Sequence, residues 1–349
     1  MVENDMKKER IYYLDLIKII AVLSVFVCHF SRSLESNQVG YSLKILPDYV
    51  FQVYLGGFGV SLFFIISGAA LMYVYDEKLE LITYYKKRFL GIYPMFWMAF
   101  AITFAISLFR NESINPEVPK WKILYTILGI DGNALWWGPN FYQVGEWFLS
   151  VIVCLYIVFP LLRWAIKKSL AATSLFVLIS YAAGCMWFHT TLPQDCFFLL
   201  RIPELLFGMI FVKWIRKVGI LHLILSIVVV GIVSVVPRNT VINPLVATTL
   251  VGIGSFSVLA WLFQHIPLSE WVKKLAGLCG KYCYAFFLTH HYILRWMTSR
   301  FSGCQLRKSE ELVVFFSCLF VVLLATKLLY DLHKSVTDFF RGLQTPQKR

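Results

Sequence analysis

Charge is scarce in this 349-residue sequence: 15% of its residues are Asp, Glu, Lys or Arg, against about a quarter in a soluble globular domain. Linkers are missing too. No Ser/Gly- or Pro-rich stretch, low-complexity tract or internal repeat divides the chain, so it reads as one unit over 1–349 without a separate soluble domain. Six of the eight cysteines (28, 154, 185, 279, 283 and 318) fall in apolar segments, where cysteine behaves as a small hydrophobe. Cys279 and Cys283 stand one helical turn apart, but no second Cys or His pair completes a zinc pattern, and no metal is expected. Nucleophile-elbow and zincin patterns are absent. Gly56-Gly57-Phe58-Gly59 is no phosphate loop, since no strand is expected before it and no Lys-Ser/Thr pair follows; close helix packing is its simpler reading.

Apolar sequence is abundant. Hydrophobic residues make up 58% of the chain and the mean hydropathy is +0.68. Runs of spanning length recur from end to end, at 11–30, 49–75, 92–109, 146–162, 169–188, 196–212, 220–237, 244–264, 275–297 and 312–332. Their pattern predicts an all-α membrane protein, a bundle of about ten transmembrane helices. The first run follows Lys7, Lys8 and Arg10 as a signal peptide would, but Asp15 and Lys18 interrupt it and no small-residue cleavage site follows His29 and Phe30. It reads as a retained helix. The longest connector, 110–145, carries Trp121, Trp136, Trp137 and a Gly138-Pro139 turn, and suits an interfacial loop or short amphipathic helix.

Orientation follows from the basic residues. With the N-terminus inside, inner segments hold nineteen Lys and Arg, outer segments nine, and the spans five. Both termini are therefore expected on the cytoplasmic side. The same asymmetry accounts for the net charge of +13 through contact with anionic lipid headgroups, with no nucleic-acid partner implied.

Ionisable residues at membrane depth are costly and mark candidate sites. Asp15, Lys18 and His29 recur along the first span. At 100° per residue Lys18 and His29 lie within about 20° of each other and about 16 Å apart along the axis. One face thus presents an ionic pair near the inner mouth and an imidazole further out, although Asp15 and Lys18 also suit a snorkelling interfacial pair. Arg88, in the cluster Lys86-Lys87-Arg88, reads equally as a positive-inside anchor. Arg201 and Glu204, three apart, can pair on one helix face, in a structural or a functional role. His290 and His291 precede Arg295; one of them can face a cavity, but adjacent helical residues point in two directions. Glu146 and Trp147 open the fourth span, where an aromatic residue of the interfacial belt is ordinary. Buried charges and helix-interrupting glycines suit a transporter or flippase of a glycan or lipid-linked precursor as well as an enzyme.

Taken in order, these segments resemble the acyltransferase 3 family of integral-membrane acyltransferases, which mostly O-acetylate bacterial surface sugars. The first-helix pattern is Leu14-Asp15-Leu16-Ile17-Lys18 with His29, and the second runs from Gly59-Val60-Ser61 through Phe63-Phe64 to Ser67-Gly68. The third is Lys87-Arg88-Phe89-Leu90-Gly91-Ile92-Tyr93-Pro94, and the fourth Trp147-Phe148-Leu149 with Pro160. Arg201-Ile202-Pro203-Glu204 with Gly208-Met209 resembles the sixth-span motif, and Gly280-Lys281-Tyr282-Cys283-Tyr284 with Leu288 and His290 the late-helix motif. The match departs from the family at Lys18, often Arg there, at Gly91, often a second Arg, and at Glu146, sometimes His. The esterase-like soluble domain of some members has no counterpart.

The resemblance implies a cytoplasmic acyl-CoA donor, usually acetyl-CoA, and a hydroxyl acceptor on a glycan or lipid-linked saccharide, in a bacterial plasma membrane. It also implies that Lys18, Lys87, Arg88, Tyr93 and Ser67 form the donor site, that His29 with Asp15 is catalytic, and that Glu146, Trp147, His290, Arg201 and Glu204 face the acceptor. The residues agree with that division of labour. Phosphates need cations at the inner mouth, and an attacking hydroxyl needs a base of near-neutral pKa.

Overall fold

The computed structural model describes residues 9–41, 47–110, 117–141, 144, 146–188, 192–237 and 240–344, with backbone alone at Trp136, Glu146, Arg341, Leu343 and Gln344. The main helices are α1 (Tyr12–Ser36), α2 (Leu55–Tyr75), α3 (Leu81–Phe109), α6 (Glu146–Lys168), α7 (Leu170–Trp187), α8 (Ile202–Ile210), α9 (Ile220–Val235), α10 (Pro244–His265), α11 (Glu270–Thr298) and α12 (Lys308–Gln344). Two short helices, α4 (Ile123–Leu128) and α5 (Asp131–Ala134), lie in the long connector, and a hairpin β1 (Tyr49–Val50) and β2 (Val53–Tyr54) precedes α2.

The chain is an all-α membrane protein. Among the described residues seven helices are long and apolar enough to cross a membrane: α1, α2, α3, α6, α7, α10 and α12. The other three expected spans are also helical, each for its own reason outside that set. Helix α9 has only 16 residues, α8 is short and continues as a π-turn over Phe211–Ile215, and α11 carries Lys273, Lys274, Lys281, His290, His291 and Arg295. The span expected from Tyr49 starts instead at Leu55, and a two-residue strand does precede Gly56. Twenty-one helical residues already cover the bilayer, and apolar hairpin residues merge with them in a hydropathy reading.

Successive helices run up and down, so alternate connectors meet. At one end Arg163 of α6 donates to the carbonyls of Tyr75 and Asp76, at 2.6 and 2.8 Å. Lys213 pairs with Asp76 at 2.5 Å, and Gln264 donates to the Arg216 carbonyl at 2.9 Å. At the other end Asn37 donates to Thr298 Oγ1 at 2.7 Å and Gly40 bridges Gln305. Lysine and arginine thus knit the first end, where the two nearby cations hold the Asp76 carboxyl below its ordinary range against the cost of burial.

The 117–141 part of the connector folds back as a cap. Lys122 donates to the carbonyls of Trp137 and Pro139 at 3.1 and 2.8 Å, Gly132 N–H to Ser150 Oγ at 2.8 Å, and Asn140 to the Asp131 carbonyl at 2.8 Å. Asp131 is buried beneath it, and burial pushes its carboxyl up to about 6 despite a hydrogen bond from Thr126.

Glycines set the tightest helix contacts, as expected for the second span. A Cβ at Gly68 would overlap the Leu205 backbone, one at Gly208 the Ile65 carbonyl, and one at Gly59 the Ala21 carbonyl. Helices α1, α2 and α8 therefore touch backbone to backbone, a spacing only small residues allow.

Candidate active site

At the lysine- and arginine-rich end a cavity of about 260 Å³ opens between α1, α2, α3, α6 and α11. Lys18, Ser67, Lys87 and Arg88, four of the five residues expected at a donor site, line it together. They come from three helices and meet because α2 packs on α1 through glycine while α3 starts beside it. The Arg88 guanidinium faces the rings of Tyr75, Tyr84 and Tyr156 at 5.8–6.0 Å. Tyr84 is held by its hydroxyl, which donates to the Tyr156 carbonyl at 2.8 Å. No carboxylate pairs with Arg88 among the described residues, and its buried Nε has no hydrogen-bond partner there. The cage was not anticipated from sequence; Tyr84 four residues before Arg88 on one helix was the available signal.

The far wall of the cavity is aromatic. Phe148 packs against Phe63 and Phe287, with ring centroids 5.7 and 4.8 Å apart. Beyond it lie three imidazoles. His29 of α1 meets His290 and His291 of α11 edge to face, at 5.2 and 5.0 Å between centroids. Both adjacent histidines reach it because His29 stands opposite the gap between their side chains. The same helix faces carry cavity and imidazoles: Lys18 and His29 on α1, and Gly280, Tyr284, Phe287 and His291 at helical spacing on α11.

His290 is 1% exposed. Its Nδ1 lies 2.8 Å from the Phe287 carbonyl and 3.2 Å from that of Phe286. A ring nitrogen facing carbonyl oxygens is the N–H, so Nε2 holds the lone pair. That nitrogen has no hydrogen-bond partner among the described residues. It is a buried, unmet acceptor on a ring that packs edge to face with His29.

Several expected placements are corrected. Asp15 does not orient His29: fourteen residues separate them, about 21 Å along α1, and Asp15 accepts from Arg10 Nε at 2.6 Å. Nor is Lys18 its ionic partner; Arg10, outside the span, takes that role and also donates to the Gly277 carbonyl at 3.2 Å. Tyr93 faces away from the cavity, its ring stacked on Phe89 at 4.7 Å and its hydroxyl donating to the Leu128 carbonyl at 2.7 Å, so it ties α3 to the cap. Arg201 and Glu204 pair at 3.1 Å with both side chains wholly buried, and the guanidinium lies 5.0 Å from the Phe64 ring. This pair offers an acceptor no opening. Trp147 is half-buried under α5, whose Gly132 packs on its backbone, and the Glu146 side chain falls outside the described residues. His290 belongs with the imidazole cluster rather than with a separate acceptor set. Among the described residues no group of His, Cys, Asp or Glu can hold a metal ion.

The sequence matches the family described as "Acyltransferase domain" over residues 11–331. It is 25% identical over 310 residues to Acyltransferase MdmB from Streptomyces mycarofaciens, an alignment covering 79% of this chain and 77% of that protein. No solved structure matches the chain.

Proposed function

The chain belongs to the acyltransferase 3 family, and from that premise we propose that it is a membrane O-acyltransferase acting in a bacterial plasma membrane. In this reading an acetyl group passes from acetyl-CoA to a hydroxyl of a cell-surface or lipid-linked glycan. One observation carries the reading: the cavity bearing Lys18, Lys87 and Arg88 shares its α1 and α11 faces with the three histidines. At about 260 Å³ the cavity is smaller than the roughly 300–1,000 Å³ that drug-sized ligands fill. It suits the acyl-bearing arm of the donor, with the nucleotide phosphates held at its mouth by the cations. The acyl arm then bridges the about 16 Å between Lys18 and His29.

The chemistry asks little of the protein beyond placement and one base. The acceptor oxygen attacks the thioester carbonyl, its proton passes to the His29 lone pair, the carbon–sulfur bond breaks, and the leaving thiolate is reprotonated from the imidazolium. His290 packs against the His29 ring edge to face and limits the ring's rotation, which keeps the base aimed along α1 toward the cavity. The donor enters from the N-terminal face, taken as cytoplasmic on the charge asymmetry, and the acceptor from the opposite face.

Proteoliposomes sorted for one orientation test this. Acetyl-CoA is expected to be consumed only on the face bearing the N-terminus, with acylated glycan appearing on the other. Glycan movement without CoA release, in folded protein, would instead identify a transporter.

A further inference from the structure

A second cavity lies at the opposite end of the bundle from the cationic one. It measures about 190 Å³ and is bounded by the hairpin before α2, Asp195, the end of α9 and the start of α10. That volume is the share of liquid occupied by about six waters, which suits one sugar ring better than a chain of them.

Its wall has two chemistries. Tyr49 and Tyr54 face each other across the hairpin, with ring centroids 5.8 Å apart. Gln52, Asp195 and Thr248 supply an amide, a carboxylate and a hydroxyl around the same space. Aromatic faces receive the C–H face of a pyranose, and a carboxylate with an amide receives adjacent hydroxyls. Phosphate or carboxylate ligands are disfavoured by Asp195, with no cation among the described lining residues.

The hairpin is built against local preference. Phe51 and Gln52 occupy its tip with φ of +48° and +61°, a left-handed pair that two-residue hairpins normally fill with Asn and Gly. A two-stranded hairpin is marginal alone. This one is closed by Leu55 N–H on the Asp48 carbonyl at 2.8 Å, and Arg32 Nε donates to the Tyr54 hydroxyl at 3.1 Å while its guanidinium lies 5.3 Å from the ring. Such strain persists where the surroundings impose it and clusters at binding sites. What it accomplishes here is a fixed pair of rings inclined by 61°, with Gln52 lining the same cavity. Arg32, which holds Tyr54, follows His29 by three residues on α1, so the cavity wall is tied to the helix that carries the imidazole.

We propose that this cavity is a subsite for one pyranose ring of a saccharide acceptor, packed in the angle between Tyr49 and Tyr54 and hydrogen-bonded by Asp195, Gln52 and Thr248. The subsite rests on the acyltransferase reading for the presence of a sugar, and it deepens that reading. The acceptor then has at least two units, one in the cavity and one presenting its hydroxyl to His29.

Saturation-transfer NMR on the full chain in nanodiscs, free of glycoside detergents, tests it with methyl α-glucoside, methyl α-mannoside and N-acetylglucosamine as probes. At least one should receive saturation from the protein, equally in the wild type and in His29→Ala, and about tenfold less in Tyr49→Ala and Asp195→Asn. No transfer to any of the three, or transfer that these two substitutions leave unchanged, overturns the subsite. Acylation kinetics keep the two ideas apart. If CoA is released while Tyr49→Ala and Asp195→Asn leave the acceptor KM at its wild-type value, the subsite fails and the acyltransferase stands. If the sugar binds through Tyr49 and Asp195 but no CoA is ever released, the subsite stands and the enzyme reading falls.

Discussion

Two arginines of this bundle are held under opposite conditions. Arg201 is wholly buried with Glu204 at 3.1 Å, so its charge is cancelled within one turn of its own helix. Arg88 is surrounded by three tyrosine rings, faces a cavity and has no carboxylate partner among the described residues. Ring quadrupoles hold a guanidinium in place without neutralising it. A cancelled charge exerts little pull on an anion, even though the Arg201 nitrogens and Glu204 oxygens lack hydrogen-bond partners among the described residues, whereas a held but uncancelled one still attracts it. The first arrangement secures the core and the second prepares a site. His290 Nε2, buried without a partner among the described residues, belongs to the second kind.

The largest effect that sharpens this contrast is expected at the imidazoles. His29→Ala should slow acyl transfer by about 10²–10⁴-fold, the usual worth of a general base, with an unchanged thermal midpoint in detergent. Near-normal transfer by this variant would reassign the base to His290 or His291. Arg201→Ala should do the reverse. Leaving Glu204 as a lone buried charge costs about 3–5 kcal/mol of stability, read as a lower unfolding temperature, and the double change Arg201→Met with Glu204→Leu should recover most of it. Wild-type unfolding combined with weakened acceptor binding would break the comparison and return the pair to the substrate site.

Arg88→Ala comes next. Loss of one charge-assisted contact to phosphate is worth about 1.5–3 kcal/mol, a roughly tenfold to hundredfold rise in the KM for acetyl-CoA with little loss of stability. A Cβ at Gly91 meets nothing within 4 Å, so Gly91→Arg should be tolerated and should leave that KM equal or lower. An unchanged donor KM in Arg88→Ala would make Arg88 an anchor like Arg201.

The smallest effect concerns the cap. Burial raises the Asp131 carboxyl to about 6, above its unfolded value of about 3.9. The folded cap therefore holds this proton more tightly than the unfolded chain, and its stability is fully present below about pH 4. That contribution falls as pH rises through about 6, by at most about 1.4 kcal/mol per unit, then levels off. Asp131→Asn should flatten this dependence, as followed by unfolding temperatures between pH 4 and 7.

Sequence reading reached furthest where a single helix decided the outcome. The shared face of Lys18 and His29 is fixed by 100° per residue, and the expected donor residues converge because each helix turns its own polar stripe to one cavity. Partners from outside the span were harder to find: Asp15 pairs with Arg10, and Tyr93 with a carbonyl of the connector. The adjacent histidines looked divergent because only the crossing of α1 and α11 makes them converge on His29. The second cavity gathers residues from four separated segments, and its hairpin, lacking glycine at the tip, is indistinguishable by hydropathy from the start of a span.

The glycine contacts among α1, α2 and α8 also determine how the bundle can move. Where backbones touch through Gly59, Gly68 and Gly208, one helix cannot slide past another without lifting off it, so these three behave as a single stiff spindle. Two of the walls of the cationic cavity, Lys18 and Ser67, are mounted on that spindle. Helix α3, which bears Lys87, Arg88 and Gly91, buries only 22% of its most apolar stretch. The entrance thus joins two walls locked by backbone contact to a third carried on a largely lipid-facing helix, and the unneutralised arginine rides on that third wall.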